Sequence, residues 1–290
     1  MISKQHFIFK KSALTALFLL VLSNLFANSP WVPKKGKGYA LFSYTKINYS
    51  SGINSNELFK TVEDATLQPY FQFGLGNNWG ITGFAPYKIV ETNGPEGPDT
   101  TVSSDFVNVD NGRLSAFGNI GLELKKSKKI GSLQVGYSVE VTTPSFENDE
   151  LRQLFTGYDA WGIKPTFSIG KGGNGGYTQG SIGYKWLSNN YVDLIQFSGE
   201  AATKLDLKPV NVFLAFAING SIPVGDENLN DERSEQTLLY TNGAGYVSPG
   251  LKIIVQLPIG LEFTASGFGA FWAESAPSAG TGTIGIAYKW

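Results

Sequence analysis

The sequence predicts an all-β chain: a transmembrane, up-and-down antiparallel β-barrel of about 12 strands, preceded by an N-terminal signal peptide. Three observations carry this. Ile284, Ile286, Tyr288 and Trp290 occupy alternate positions of the closing strand, so one face is wholly apolar and the chain stops on an aromatic ring. Lys4, Lys10 and Lys11 precede an uncharged run from Ala13 to Phe26, with small residues at Ala27 and Ser29; these are the parts of a secretory signal and its cleavage site. Between the two ends, short and long connections alternate, as periplasmic turns and extracellular loops do in such barrels.

These features divide the chain into a signal peptide (1–27), a periplasmic lead-in (28–38) and a barrel (39–290). The apolar run near the start is shorter than the ~20 residues a spanning helix needs, and no later window supplies such a length. Cleavage after Ala27 removes three of the 23 basic residues, leaving 20 against 24 acidic ones, and takes away His6, the single histidine. There is no cysteine, which excludes disulfides, thiolate sites and a lipid-anchored N-terminus.

Residues 31–37 form the lead-in, ending in the basic turn Lys34-Lys35-Gly36-Lys37. Strand character runs from Tyr39 to Tyr49. In the second strand Leu67, Phe71, Phe73 and Leu75 alternate with Gln68, Tyr70, Gln72 and Gly74, and Pro69 requires an unpaired or bulged position. Gly76-Asn77-Asn78 is a tight turn before a strand from Trp79 to Val90, and a long polar loop follows to Asp110. Leu114, Ala116, Ile120, Leu122 and Leu124 mark one strand, Lys125 to Lys129 a basic turn, and Leu133, Val135, Tyr137, Val139 and Val141 its return. A polar loop from Pro144 to Asp159 precedes the stripe Trp161, Ile163, Phe167 and Ile169. A glycine-rich turn, 170–176, then leads to Ile182, Tyr184 and Trp186. Turns at 189–190, 206–209 and 258–260 and a third long loop, 224–241, separate the remaining strands.

A charged side chain facing lipid at the midplane costs ~2–4 kcal/mol, so charges opposite the apolar stripes should point inward. That phase assigns Gln68, Tyr70, Gln72, Phe117, Asn119, Glu123, Glu140, Lys164, Glu200, Lys204, Asn211, Lys252, Gln256 and Glu262 to the lumen, with Phe84, Phe213, Phe268 and Trp272 beside them. About 12 strands leave more room than the ~8-strand barrels that side chains fill. Two interiors fit the mixture: opposite charges cross-linking a closed plug, or a narrow polar passage with aromatic platforms. A loop folded inward could block either.

Without histidine or cysteine in the mature chain, Ser–His activation and a thiolate nucleophile are both excluded, and no enzyme, cofactor or metal centre is expected. The glycines from Gly170 to Gly176 lack the Lys-Ser/Thr and helix of a phosphate loop. Acidic residues crowd two loops, at Asp99, Asp105 and Asp110 and at Asp226, Glu227, Asp231, Glu232 and Glu235, where solvated charge or cation attraction are the readings.

The closing strand resembles the C-terminal signal by which barrel-assembly machinery recognises outer-membrane barrels, with Trp290 where most such signals carry Phe. Together with Lys35-Gly36-Lys37-Gly38-Tyr39 and Gly157-Tyr158-Asp159-Ala160-Trp161, it is similar to Bacteroidetes-type outer-membrane barrels, XagA-like ones and, more distantly, barrels encoded with aromatic meta-pathway (phenol degradation) genes. The resemblance implies a transport channel in the outer membrane of a Gram-negative bacterium and names no site residue. The expected partners are membrane lipid, the assembly machinery and a small solute, with no nucleic acid. A structural or adhesion barrel and an accessory subunit of an envelope or secretion complex stay open beside the channel.

Overall fold

The computed structural model describes residues 29–51, 60–93, 111–149, 152, 154–225, 239–274 and 276–290. The expected signal peptide and both acidic clusters singled out above lie outside them. One sheet of fifteen segments closes on itself, and because three strands are broken in two it forms a barrel of twelve. The strands are β1 (Gly38–Ser51), β2 (Lys60–Gly76), β3 (Trp79–Phe84 and Tyr87–Asn93), β4 (Gly112–Phe117 and Gly121–Ile130), β5 (Leu133–Thr142) and β6 (Gly162–Gly173). They continue with β7 (Gly176–Leu187), β8 (Asp193–Leu207), β9 (Val210–Val224), β10 (Gly245–Gln256), β11 (Leu261–Gly269 and Trp272–Glu274) and β12 (Gly280–Lys289). Each pairs antiparallel with its chain neighbours, and β1 closes the ring on β12 in the register Tyr39↔Lys289 to Ile47↔Thr281.

The outside is apolar and the inside polar, the reverse of a soluble protein. Leu251 and Ile284 are 68% and 62% exposed, with Phe42, Leu122, Tyr137, Ile163 and Ile182 in the same belt. A surface of this kind requires hydrocarbon around it. Five of the six tryptophans face outward at strand ends, Trp79 and Trp290 at the rim of the termini and Trp161, Trp186 and Trp272 at the opposite one, as interfacial girdles.

The turns on the side of the termini are short. Asn77 and Asn78 both take positive φ, 49° and 63°, the geometry of a two-residue hairpin whose twist matches its strands. Pro69 falls where β2 faces the break in β3, between the pairs Leu67↔Tyr87 and Tyr70↔Phe84, so its missing N–H costs no ladder bond on that side. Two of the sequence-based boundaries move. Lys125 to Lys129 are strand, with the turn at Gly131-Ser132, and Gly170 to Gly173 belong to β6. In both cases the ladder runs on past the apolar stripe into the polar rim, where hydropathy no longer marks it.

The seam is closed by Gly38. Its N–H donates to Trp290 O (3.3 Å), the Trp290 N–H returns to Gly38 O (3.2 Å), and the Trp290 ring stacks on Tyr288. A Cβ on residue 38 would lie 2.2 Å from that ring. Gly38→Leu should therefore destabilise the barrel by about 1–3 kcal/mol, as overpacking does. Thermal unfolding followed by gel mobility checks this, with Gly282→Ala, at an open position, expected to change nothing.

Candidate functional site

The lumen is where the chain concentrates its polar chemistry. Strand alternation puts five carboxylates inside, each matched by a lysine. Asp64 meets Lys88 at 2.5 Å, Glu123 meets Lys125 at 3.4 Å, and Glu140 meets Lys164 at 3.1 Å. Glu200 meets Lys252 at 3.3 Å and Glu262 meets Lys289 at 2.7 Å. Most of these groups are almost fully buried, Lys125, Glu123, Glu200 and Glu262 at 1% exposure. Hydroxyls and an amide add to the shells of two of these carboxylates. Tyr39 and Gln256 donate to the two oxygens of Glu262 (3.2 and 2.8 Å), and the Tyr177 hydroxyl donates to Glu200. Such networks are stable only when fully paired, because a lone buried charge is expensive.

In the segment before β1, residues 29–33 fold back inside the barrel, and Lys34 and Lys35 are exposed at its rim. Lys125 Nζ donates to Ser29 O (2.9 Å), Gln72 Nε2 donates to Trp31 O (3.3 Å), and the Trp31 ring lies edge-on to Tyr177 at 6.1 Å. Backbone bonds between Gly36 N and Gly74 O, and between Gly74 N and Lys37 O, both 3.0 Å, fasten its end to β2. At the opposite end, the loop between β5 and β6 turns inward. Its Leu154 and Phe155, with Leu239 of the next long loop, bury against Tyr49, Val62 and Val90 of the wall.

Two cavities lie between this floor and this roof. One, of about 410 Å³, is walled by Tyr158, Tyr240, Tyr246, Phe268 and Leu239, with the Asp64–Lys88 pair, Gln196 and Asn219 as its polar groups. The other, of about 230 Å³, holds Tyr70, Gln68, Glu140, Lys164 and Lys252, and Thr45 and Thr283 line both. Tyr158 and Tyr240 stand edge to face at 5.3 Å, and Lys88 Nζ lies 5.2 Å from the Tyr240 ring centroid. Burial holds both loop phenols above their ordinary pKa, Tyr158 also through Tyr246 and Tyr240, so they act as neutral donors. A shallow apolar hollow lined by Trp79, Leu124, Tyr137 and Phe167 opens instead on the lipid side.

Of the residues assigned to the lumen, Gln68, Tyr70, Gln72, Glu123, Glu140, Lys164, Glu200, Lys252, Gln256 and Glu262 line it, while Lys204 and Asn211 face inward, half-buried, near the short-turn rim. Phe117 and Asn119 do not. The break at 118–120 shifts the phase of β4, so Phe117 is 43% exposed on the outer face against Tyr87 and Phe146. Asn119 instead clasps the loop: its Nδ2 donates to Thr143 O and Tyr158 O (both 2.7 Å), and its Oδ1 accepts from Tyr158 N (2.9 Å), which sets Tyr158 in the cavity wall. The break at 270–271 likewise turns Trp272 outward. Sequence reasoning missed Asp64, Lys88, Lys125 and Lys185; even spacing from Gln68 would have found Asp64. Ile284, Ile286, Tyr288 and Trp290 all face outward.

Removing one partner of a buried pair leaves the other uncompensated. Lys252→Met should cost about 3–5 kcal/mol. Glu200→Gln combined with Lys252→Met should recover most of it, and chemical unfolding midpoints of the three proteins decide the matter.

No protein-family model and no curated protein sequence matches this chain. Among solved structures it is similar to an outer-membrane channel from Pseudomonas putida F1, with TM-score 0.61 and 10% identity over 92% of this chain and 100% of that one. It is also similar to the β-domain of the Bordetella autotransporter Brka (TM-score 0.47, 11% identity, 88% and 99% covered). A third likeness is to the CymD monoaromatic hydrocarbon channel (TM-score 0.45, 8% identity, 89% and 88% covered). The first of these shows the fold: this chain is a closed antiparallel barrel of the outer-membrane type.

Proposed function

We propose that this protein is an outer-membrane channel for small solutes of mixed polarity, inserted through recognition of its closing strand by the barrel-assembly machinery. The observation that carries the reading is the pair of lumen cavities, one tyrosine-walled and one ionic, that share Thr45 and Thr283 in their walls. A barrel serving only as an anchor needs no such space. The Pseudomonas putida barrel of the same fold is itself an outer-membrane channel. Within the passage, residues 29–33 act as a constriction, held by side chains rather than by a strand ladder.

The ion pairs and the inward loop favour a second reading, a sealed structural barrel, and conductance separates the two. In a planar bilayer the channel reading expects discrete current steps. They should change when Lys164 or Lys252 is replaced by Gln and grow when residues 29–35 are deleted. A folded barrel that stays silent even after the deletion would establish the sealed one.

A further inference from the structure

Five inward carboxylates take five lysines, and one buried lysine remains. Lys185, on β7, is 9% exposed and has no ion pair or hydrogen bond among the described residues; its nearest aromatic ring is Tyr158, 5.9 Å from Nζ. The register from Ile163↔Trp186 to Thr166↔Gly183 sets it directly across from Lys164. Glu140, the carboxylate between them, is paired with Lys164 at 3.1 Å, and Lys164 also donates to Gln196 Oε1 at 3.3 Å, so two lysines face one carboxylate. Two like charges side by side, one of them uncompensated and buried, destabilise a sheet unless an anion reaches them.

A second set of groups at the same place also lacks partners. The hydroxyls of Thr142, on the flanking strand β5, and of Thr166, two residues along β6 from Lys164, are buried without a hydrogen-bond partner among the described residues. Gly162 brings one of them to the lysine: a Cβ there would lie 2.4 Å from Thr142 Oγ1 and 2.7 Å from Lys185 Cε, so both groups crowd one point that any side chain would fill. A largely buried ammonium and a fully buried hydroxyl, neither with a hydrogen-bond partner among the described residues, make a receptor for one small anionic group. The neighbouring cavity shares Tyr158 and Gln196 with this corner, and its apolar walls are Tyr240, Tyr246, Phe268 and Leu239.

We infer that Lys185 and Thr142 bind the carboxylate of an amphipathic monoanion whose apolar or aromatic body lies in the tyrosine-walled cavity. The surplus is a single positive charge, and Glu140 nearby opposes a second negative one, which selects a monoanion over a phosphate dianion. This deepens the channel reading and rests on it only for the solute's onward passage.

The test is calorimetric titration of the full barrel in nanodiscs with phenylpropionate and with phenylpropanol, its uncharged counterpart. The wild-type protein should prefer the acid. Lys185→Met should weaken the acid by about tenfold, the loss of one charge-assisted hydrogen bond, and leave the alcohol unchanged, while Lys185→Arg should retain the preference. Thr142→Val should weaken the acid in the same direction, and it keeps the test decisive if Lys185→Met does not fold. Equal binding of acid and alcohol to the wild type overturns the inference, as does an acid affinity that neither Thr142→Val nor a folded Lys185→Met alters. A barrel that binds the acid but never conducts would instead count against the channel alone.

Discussion

Every backbone N–H and C=O inside a bilayer must find its partner within the protein, and for a sheet that is possible only by closure. The β1–β12 seam satisfies this constraint, and the rest of the structure follows from it. It joins the two ends of the barrel wall, Gly38 to Trp290, and the closing register fixes which side chains of every strand meet inside. One residue of slip at the seam would turn Tyr39 and Leu41 out to lipid and bring Phe42 and Tyr44 in. The terminal tryptophan is therefore part of the closure itself, its ring lying over the one position in β1 that offers no side chain.

Closure at twelve strands leaves an interior too wide for apolar side chains alone to fill, and the chain fills it with charge. Neighbouring strands supply several of the pairs in register: Glu140 lies directly across from Lys164 and Asp64 close to Lys88. Others reach further, as Lys252 of β10 does to Glu200 of β8. The network ties distant parts of the wall together while keeping the interior wettable. The space it leaves open is graded, with tyrosines towards the long-loop end and ions in the middle.

Most of this was legible because alternation has a period of two and lipid punishes a misplaced charge. The closing strand, the hairpins and the inward direction of twelve of the fourteen assigned lumen residues, all but Phe117 and Asn119, follow from that rule. It failed where the ladder breaks. At 118–120 the chain leaves the sheet and rejoins it one step out of phase, so Phe117 and the later residues of β4 obey opposite parities. Nothing in the local hydropathy announces such a step, because Gly118 and Asn119 are equally at home in a turn. Lys125 failed for a different reason: among four lysines in a row of five it looked like solvated charge, yet alternation continues through it and places it beside Glu123. The inward fold of residues 29–33 depends on carbonyl oxygens meeting Lys125 and Gln72, contacts no side-chain pattern encodes.

That inward segment has a mechanical consequence. Its outer end is clasped to β2 by two backbone bonds at Gly74, whereas its inner part is held through two carbonyls, one ring contact and the packing of Pro30 and Val32 against wall glycines. Swinging it aside about the clasp breaks no rung of the wall. The obstruction of the bore and the seal against lipid are thus separate parts of the molecule, the first resting on contacts to the inner wall and the second on the strand register.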